Sequence, residues 1–227
     1  MPFNTAPPLC AVLFDLDGTL LDTAPDMVGA LNALCLENGR PELPYAAARA
    51  VVSHGAGRLV KLGFPDADPS TCEELQRRFL VIYRDNLSVA TRPFPGMDHV
   101  LAALHARGLL LGVVTNKPAW LTLPLLEQLD LAHRFACVVS GDTVSARKPD
   151  PLPMLHAAKL AGVEASCCLY VGDAERDVQA AHAAGMRALV ATYGYLEAGE
   201  DWRAWRGDGC IDEPAALLDW LDHDRGA

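Results

Sequence analysis

No stretch of about 18 consecutive apolar residues occurs in this 227-residue chain, so no membrane span is expected. Basic residues are also scarce. Lys and Arg total 19 against 29 Asp and Glu, a formal net charge of −10, and no segment gathers them into a stripe. Nucleic acid is therefore not an expected partner. The same deficit gives no long-range pull on an anionic ligand, which has to be held by local cations or a metal. No Cys-x-x-Cys pair occurs among Cys10, Cys35, Cys72, Cys137, Cys167, Cys168 and Cys210. Their number is odd, and several lie in apolar runs where a thiol acts as a small hydrophobe. A reducing, cytoplasmic compartment is expected. The opening Met1-Pro2-Phe3-Asn4-Thr5-Ala6-Pro7-Pro8 has no basic region followed by an apolar one, so no signal peptide is expected. The histidines at 99, 105, 133, 156, 182 and 223 form no metal-ligand spacing, and no internal repeat or low-complexity tract is found.

Apolar residues make up 51% of the chain, ample for a core. Residues 9–13 form an apolar run that reads as a buried parallel strand. Helical patterns follow at 24–38, 45–53, 55–62 and 70–88, the last opening on Ser70-Thr71-Cys72-Glu73-Glu74 as a cap. No strand pattern lies between Asp22 and Arg92, so about 70 residues form an all-helical insertion. Beyond Arg92-Pro93-Phe94-Pro95-Gly96 the patterns alternate. Strands are expected at 109–115, 135–139, 167–171 and 187–192, and helices at 97–107, 118–129, 150–161, 175–184 and 215–221. The polar stretch 197–209, with Trp202 and Trp205, is expected to be a surface loop. The expected fold is α/β: a Rossmann-like, doubly wound parallel sheet with a small helical cap inserted after the first strand. Residues 1–22 and 93–227 would form the core and 23–92 the cap.

The first strand runs into Phe14-Asp15-Leu16-Asp17-Gly18-Thr19-Leu20-Leu21-Asp22. Two carboxylates thus sit two residues apart at the carboxyl end of a strand, where open α/β sheets bind ligands. Anions held this close call for a cation between them or a proton on one. A hard, oxygen-seeking ion such as Mg²⁺ fits.

Polar residues close the later strands too. Thr115-Asn116-Lys117-Pro118 offers a hydroxyl and backbone N–H groups at a helix start, a ready anion site. Lys148, before Pro149, has an extended or turn backbone. Gly172-Asp173-Ala174-Glu175-Arg176-Asp177 sets two acids one helical turn apart.

These four segments, in this order, resemble the four motifs of the haloacid dehalogenase-like hydrolase superfamily, and the resemblance covers essentially the whole chain. It implies that Asp15 is the nucleophile and Asp17 the general acid and base. Thr115, with Asn116, would bind the phosphoryl group, and Lys148 would neutralise it. Mg²⁺ would be held by Asp15, the carbonyl of Asp17 and Asp173, with Asp177 completing the acidic cluster. A carboxylate at Asp17 favours phosphate-ester hydrolysis over the dehalogenase and phosphonate-cleaving branches. Lys61, the only lysine of the insertion, reads as a solvated or substrate-facing charge.

Asp15 to Pro25, Val114-Thr-Asn-Lys-Pro118, Lys148-Pro-Asp-Pro151 and Thr192-Tyr-Gly-Tyr195 are similar to two close groups within the superfamily. These are the phosphoglycolate phosphatases and the N-acetylmuramic acid 6-phosphate phosphatases, so the resemblance implies a small phosphorylated metabolite as partner. Ser53-His54-Gly55-Ala56-Gly57-Arg58 is the candidate specificity loop, with His54 and Arg58 placed to meet a substrate carboxylate. A sugar-phosphate mutase on the same scaffold is the second reading. A receiver-like signalling module would lack the helical insertion. A monomer or homodimer is expected.

Overall fold

The computed structural model describes residues 8–224; residues 1–7, on which the signal-peptide expectation falls, lie outside the described residues. Six parallel strands form one sheet in the order β5-β4-β1-β6-β7-β8. They are β1 (Ala11–Phe14), β4 (Leu110–Val114), β5 (Cys137–Val139), β6 (Cys168–Gly172), β7 (Arg187–Ala191) and β8 (Gly209–Ile211). β1 lies between β4 and β6, buried on both faces, which is why its sequence is an unbroken apolar run. Its side chains still alternate between faces. Val12 and Phe14 join one apolar cluster and Ala11 and Leu13 the other. The chain winds from β1 to β4 and β5 on one side, then returns to β6, β7 and β8 on the other. The crevice at this reversal, between the carboxyl ends of β1 and β6, is where such sheets bind ligands.

The insertion holds α1 (Ala24–Glu37), α2 (Tyr45–Arg49), α3 (Gly55–Gly63) and α4 (Pro69–Asp85). α2 is shorter than expected; residues 52–54 form a separate turn of tighter helix before α3. α4 is capped by Asp68 rather than Ser70, because Pro69 suits the first helical position and the Asp68 carboxylate accepts from the N–H groups of Ser70 and Thr71. Where the insertion leaves and rejoins the core, β2 (Leu21–Asp22) and β3 (Arg92–Pro93) pair antiparallel, Leu21 opposite Pro93 and Asp22 opposite Arg92. Asp26, buried in the first turn of α1, accepts from the backbone N–H groups of Ala90 and Thr91 and from the Thr91 hydroxyl. Leu59, Leu75 and Phe79 of the insertion share one apolar cluster with Phe14 and Leu16, so the cap sits directly on the sheet's carboxyl-end crevice.

α5 (Met97–Ala106), α6 (Ala119–Gln128), α7 (Leu152–Ala161), α8 (Glu175–Ala183) and α9 (Ala216–Asp224) complete the core. The loop expected at 197–209 is corrected in two respects. Trp205 is buried in the apolar cluster under α8, and Gly209–Ile211 adds the edge strand β8 in register with Leu189–Ala191. Three residues, one a glycine and one an exposed cysteine, carry no alternation by which a strand could be read. All seven cysteines are free thiols. Among the described residues no helix is long and apolar enough to cross a membrane.

Candidate active site

The sheet itself positions Asp15 and Thr115. The Asp15 N–H donates to Val171 O at 2.9 Å and the Thr115 N–H to Val139 O at 2.9 Å, so both backbones are pinned by the neighbouring strand. Asp15 Oδ1 accepts from the Leu16 N–H at 2.7 Å and lies 2.9 Å from Lys148 Nζ. Lys148 Nζ also lies 2.7 Å from Asp177 Oδ1, 3.0 Å from Val114 O and 2.7 Å from Tyr170 Oη. Its side chain is completely buried, so the lysine is a fixed internal counter-charge rather than a surface cation.

The side-chain amide of Asn116, which lines the cavity, acts as a clip. Its Oδ1 accepts from the Lys148 N–H and its Nδ2 donates to Lys148 O, both at 3.0 Å. Both ends of the amide are thus occupied in holding the lysine's backbone. The Thr115 hydroxyl accepts from the Lys117 N–H at 3.1 Å and faces the cavity beside Asp15.

Asp173 ends β6 as Asp15 ends β1. Its Oδ2 accepts from the Tyr195 N–H at 2.9 Å and from the Ser53 hydroxyl of the cap at 2.6 Å. Asp177 accepts from the Ala174 N–H, capping α8. One carboxylate oxygen from each of Asp15, Asp173 and Asp177 falls within 4.8 Å of the others, all three residues buried. Burial first, then the negative charges of Asp15 and Asp177, push the Asp173 carboxyl up to about 7. Three buried carboxylates and one lysine leave an excess of negative charge that a hard divalent cation would relieve, so the donor set fits Mg²⁺. The Asp17 carboxylate stands outside this group. Gly18, at φ +84°, allows the close approach: a Cβ there would lie 2.1 Å from Asp173 Oδ2.

Sequence reading missed the partner of Asp17. Lys117, only 7% exposed, places Nζ 2.9 Å from Asp17 Oδ1 and 2.8 Å from the hydroxyl of Tyr83 on α4. Burial works against this ammonium charge, but Asp17 and Tyr83 more than offset it and the pKa stands above its usual value. Burial pushes the Tyr83 phenol up to about 12. Arg176 was missed as well: its Nη2 donates to Ser53 O at 2.7 Å, tying α8 to the cap loop. Both residues lie inside the segments that attracted attention, but only their long-range partners reveal them.

Between cap and sheet lies a cavity of about 600 Å³. Asp15, Asp17, Thr115 and Lys117 line its floor, and Ser53, His54, Gln76 and Tyr83 its roof. Met27, Leu80 and Trp120 give it an apolar wall. His54 is at the cavity but pairs with Glu197 at 3.0 Å. Arg58 reaches toward the same Glu197 at 4.0 Å, with its side chain more than half exposed, and is not among the residues lining the cavity. The carboxylate these two meet is the protein's own. Lys61 donates to the carbonyls of Pro65 and Ala67, serving the turn after α3.

A doubly wound sheet with carboxylates and a buried lysine at its reversal, covered by an inserted helical cap, defines a capped α/β protein with an acidic site. The model of the family described as Haloacid dehalogenase-like hydrolase matches residues 12–191. The chain belongs to that family, and it is a phosphatase. It is 41% identical over 206 residues to a phosphoglycolate phosphatase of Xylella fastidiosa, spanning 91% of this chain and 90% of that one. It is 39% identical over 215 residues to an N-acetylmuramic acid 6-phosphate phosphatase of Pseudomonas aeruginosa, spanning 94% and 95%. The crystal structure of a predicted phosphoglycolate phosphatase from Haemophilus somnus superposes with a TM-score of 0.83 at 28% identity, covering 93% of this chain and 97% of the other.

Proposed function

We propose that this phosphatase hydrolyses a small phosphorylated carboxylic acid in two steps through an aspartyl phosphate on Asp15. The observation carrying this reading is the buried Asp15–Lys148–Asp177 arrangement beside Asp173, of which Asp15 lines the cavity at the end of β1. Asp15 Oδ1 is occupied by Leu16 N–H and Lys148, which leaves Oδ2 to attack phosphorus. As the new P–O bond forms, the bond to the leaving oxygen breaks, and Asp17 delivers a proton to that oxygen. Asp17 then takes a proton from water, whose oxygen attacks phosphorus and releases Asp15. Thr115 orients the phosphoryl group and Lys148 offsets negative charge on the nucleophile and on the phosphoryl oxygens. Asp15, Asp173 and the carbonyl of Asp17 would hold Mg²⁺, with Asp177 in support; when bound it supplies the charge neutralisation that lets two anions meet. The cap excludes bulk water while the acyl phosphate exists. Free thiols throughout fit a cytoplasmic enzyme.

Phosphoglycolate and N-acetylmuramic acid 6-phosphate share a phosphate and a carboxylate. A cavity of about 600 Å³ with an apolar wall at Trp120 favours the larger, sugar-based acid. The test is phosphate release from both compounds and from common sugar phosphates, with and without Mg²⁺. Mg²⁺-dependent release that Asp15→Asn abolishes supports the reading. Release unaffected by Asp15→Asn, or isomerisation of a sugar phosphate without phosphate release, overturns it.

A further inference from the structure

The chain contains four lysines, Lys61, Lys117, Lys148 and Lys159, and two of them are buried. Buried lysines are uncommon because the ammonium loses its hydration, so each needs dedicated partners. The two divide Asp15 and Asp17 between them. Lys148 holds Asp15 at 2.9 Å and Lys117 holds Asp17 at 2.9 Å. The second pair differs from the first in one respect: its ammonium is shared with the cap. Tyr83, in the last turn of α4 and 1% exposed, accepts from Lys117 Nζ through its hydroxyl at 2.8 Å. Its ring centroid lies 4.5 Å from the same atom.

We propose that Lys117 is a positioning residue for Asp17, anchored by Tyr83, so that seating of the cap sets the carboxylate that handles the proton. The inference rests on the two-step reading above. Lys117 follows Thr115, whose N–H is held by Val139 O of β5, and its own carbonyl accepts from the Gly141 N–H at 2.8 Å, so its ammonium projects from a rigid base. It takes one oxygen of Asp17, Oδ1, and leaves Oδ2 for proton transfer. When the cap lifts, Tyr83 leaves with α4 and the ammonium loses one of its two oxygen partners. Asp17 is then held by a looser lysine. The carboxylate is thus best placed when the cavity is covered, which limits proton delivery to the state in which bulk water is excluded.

A positioning role and a direct grip on substrate predict different leaving-group behaviour. A phenolate departs without a proton, whereas an alkoxide needs one. The esters are para-nitrophenyl phosphate and whichever of 2-phosphoglycolate and N-acetylmuramic acid 6-phosphate the wild type turns over faster. The readout is kcat/KM, which ends at departure of the leaving group. Asp17→Asn sets the reference, with a loss of about 10²- to 10⁴-fold on the alkyl ester and little on the aryl ester. Lys117→Met is expected to follow the same pattern, losing at least about 10-fold on the alkyl ester and under about 3-fold on the aryl ester. Tyr83→Phe keeps the ring and removes the anchor, and should show the same selectivity at about 2- to 5-fold; it carries the test if Lys117→Met does not fold. Equal losses on both esters would assign Lys117 to substrate binding and overturn the proposal, as would no loss on either. A wild type inactive on all of these esters in Mg²⁺ would instead overturn the two-step reading, before any variant is compared.

Discussion

Replacing Lys148 by methionine leaves Asp15, Asp173 and Asp177 facing one another around an apolar side chain. The lysine's side chain is completely buried, and those of Asp15 and Asp177 are 4% and 1% exposed, so solvent cannot take over its charge. Removing one partner of a buried pair costs roughly 3–5 kcal/mol, and here two carboxylates lose the same ammonium, so the upper part of that range is expected. A loss of about 4 kcal/mol is a large share of the roughly 5–15 kcal/mol that a folded domain has in total. With a slope of about 2 kcal/mol per molar urea, the unfolding midpoint should fall by about 2 M. The assay is urea unfolding followed by far-ultraviolet circular dichroism, with a chelator present to remove divalent ions. The double variant Lys148→Met with Asp177→Asn removes one charge of each sign and should recover about half of the loss. If Lys148→Met unfolded within about 1 kcal/mol of wild type, Lys148 would not be the counter-charge of the cluster. A double variant no more stable than the single one would refute the electrostatic account and leave only lost packing.

The Asp173 carboxyl, raised by burial and by Asp15 and Asp177 to about 7, contributes stability below the ordinary carboxylate range that is lost as pH rises through 7. In chelator, wild type should therefore weaken between pH 5 and pH 8, by about 2–3 kcal/mol, while Asp173→Asn shows a flatter profile; parallel melting curves for the two would contradict this. Burial pushes the Cys137 thiol up to about 11 and the Cys168 thiol up to about 12, whereas Cys210 is exposed. A colorimetric thiol reagent should find Cys210 first in the native protein and reach the other two only on unfolding, so a fastest phase that survives Cys210→Ser would be inconsistent. Gly29 is exposed on α1 with nothing within 4 Å of an added Cβ, and Gly29→Ala should stabilise by about 0.5–1 kcal/mol. Gly141→Ala should instead cost about 3 kcal/mol, since its Cβ would meet Asn116 O at 2.1 Å; thermal melts of both variants check the pair.

The parts legible in the sequence were those whose signal is local. β1, β4, β6 and β7 are central strands buried on both faces, so they appear as apolar runs, and each polar strand end stands out against its own run. Asp15, Thr115 and Asp173 could be placed for that reason. β8 could not, because an edge strand of Gly-Cys-Ile has neither length nor pattern. Lys117 was visible as a letter beside Thr115, but its meaning lies in Tyr83, 34 positions earlier in the insertion. Asn116 is the mirror image: the backbone of Lys148, 32 positions later, takes both ends of its side-chain amide. His54 and Arg58 likewise met Glu197, a residue on the far side of the chain. Pairings set by tertiary packing leave no periodic trace.

The two-residue ribbon of Leu21–Asp22 and Arg92–Pro93 has an architectural consequence. It brings the two ends of the insertion side by side, running in opposite directions, at the roughly 4.8 Å spacing of paired strands. A gap of that size is one that a two-residue turn can close. The helical unit is therefore plugged into a single socket, and none of the six strands beneath is interrupted by it. A substitute has to bring partners for Asp173, Arg176 and Lys117, which Ser53 and Tyr83 supply here. The unit can thus be exchanged as one piece of chain, provided those contacts travel with it.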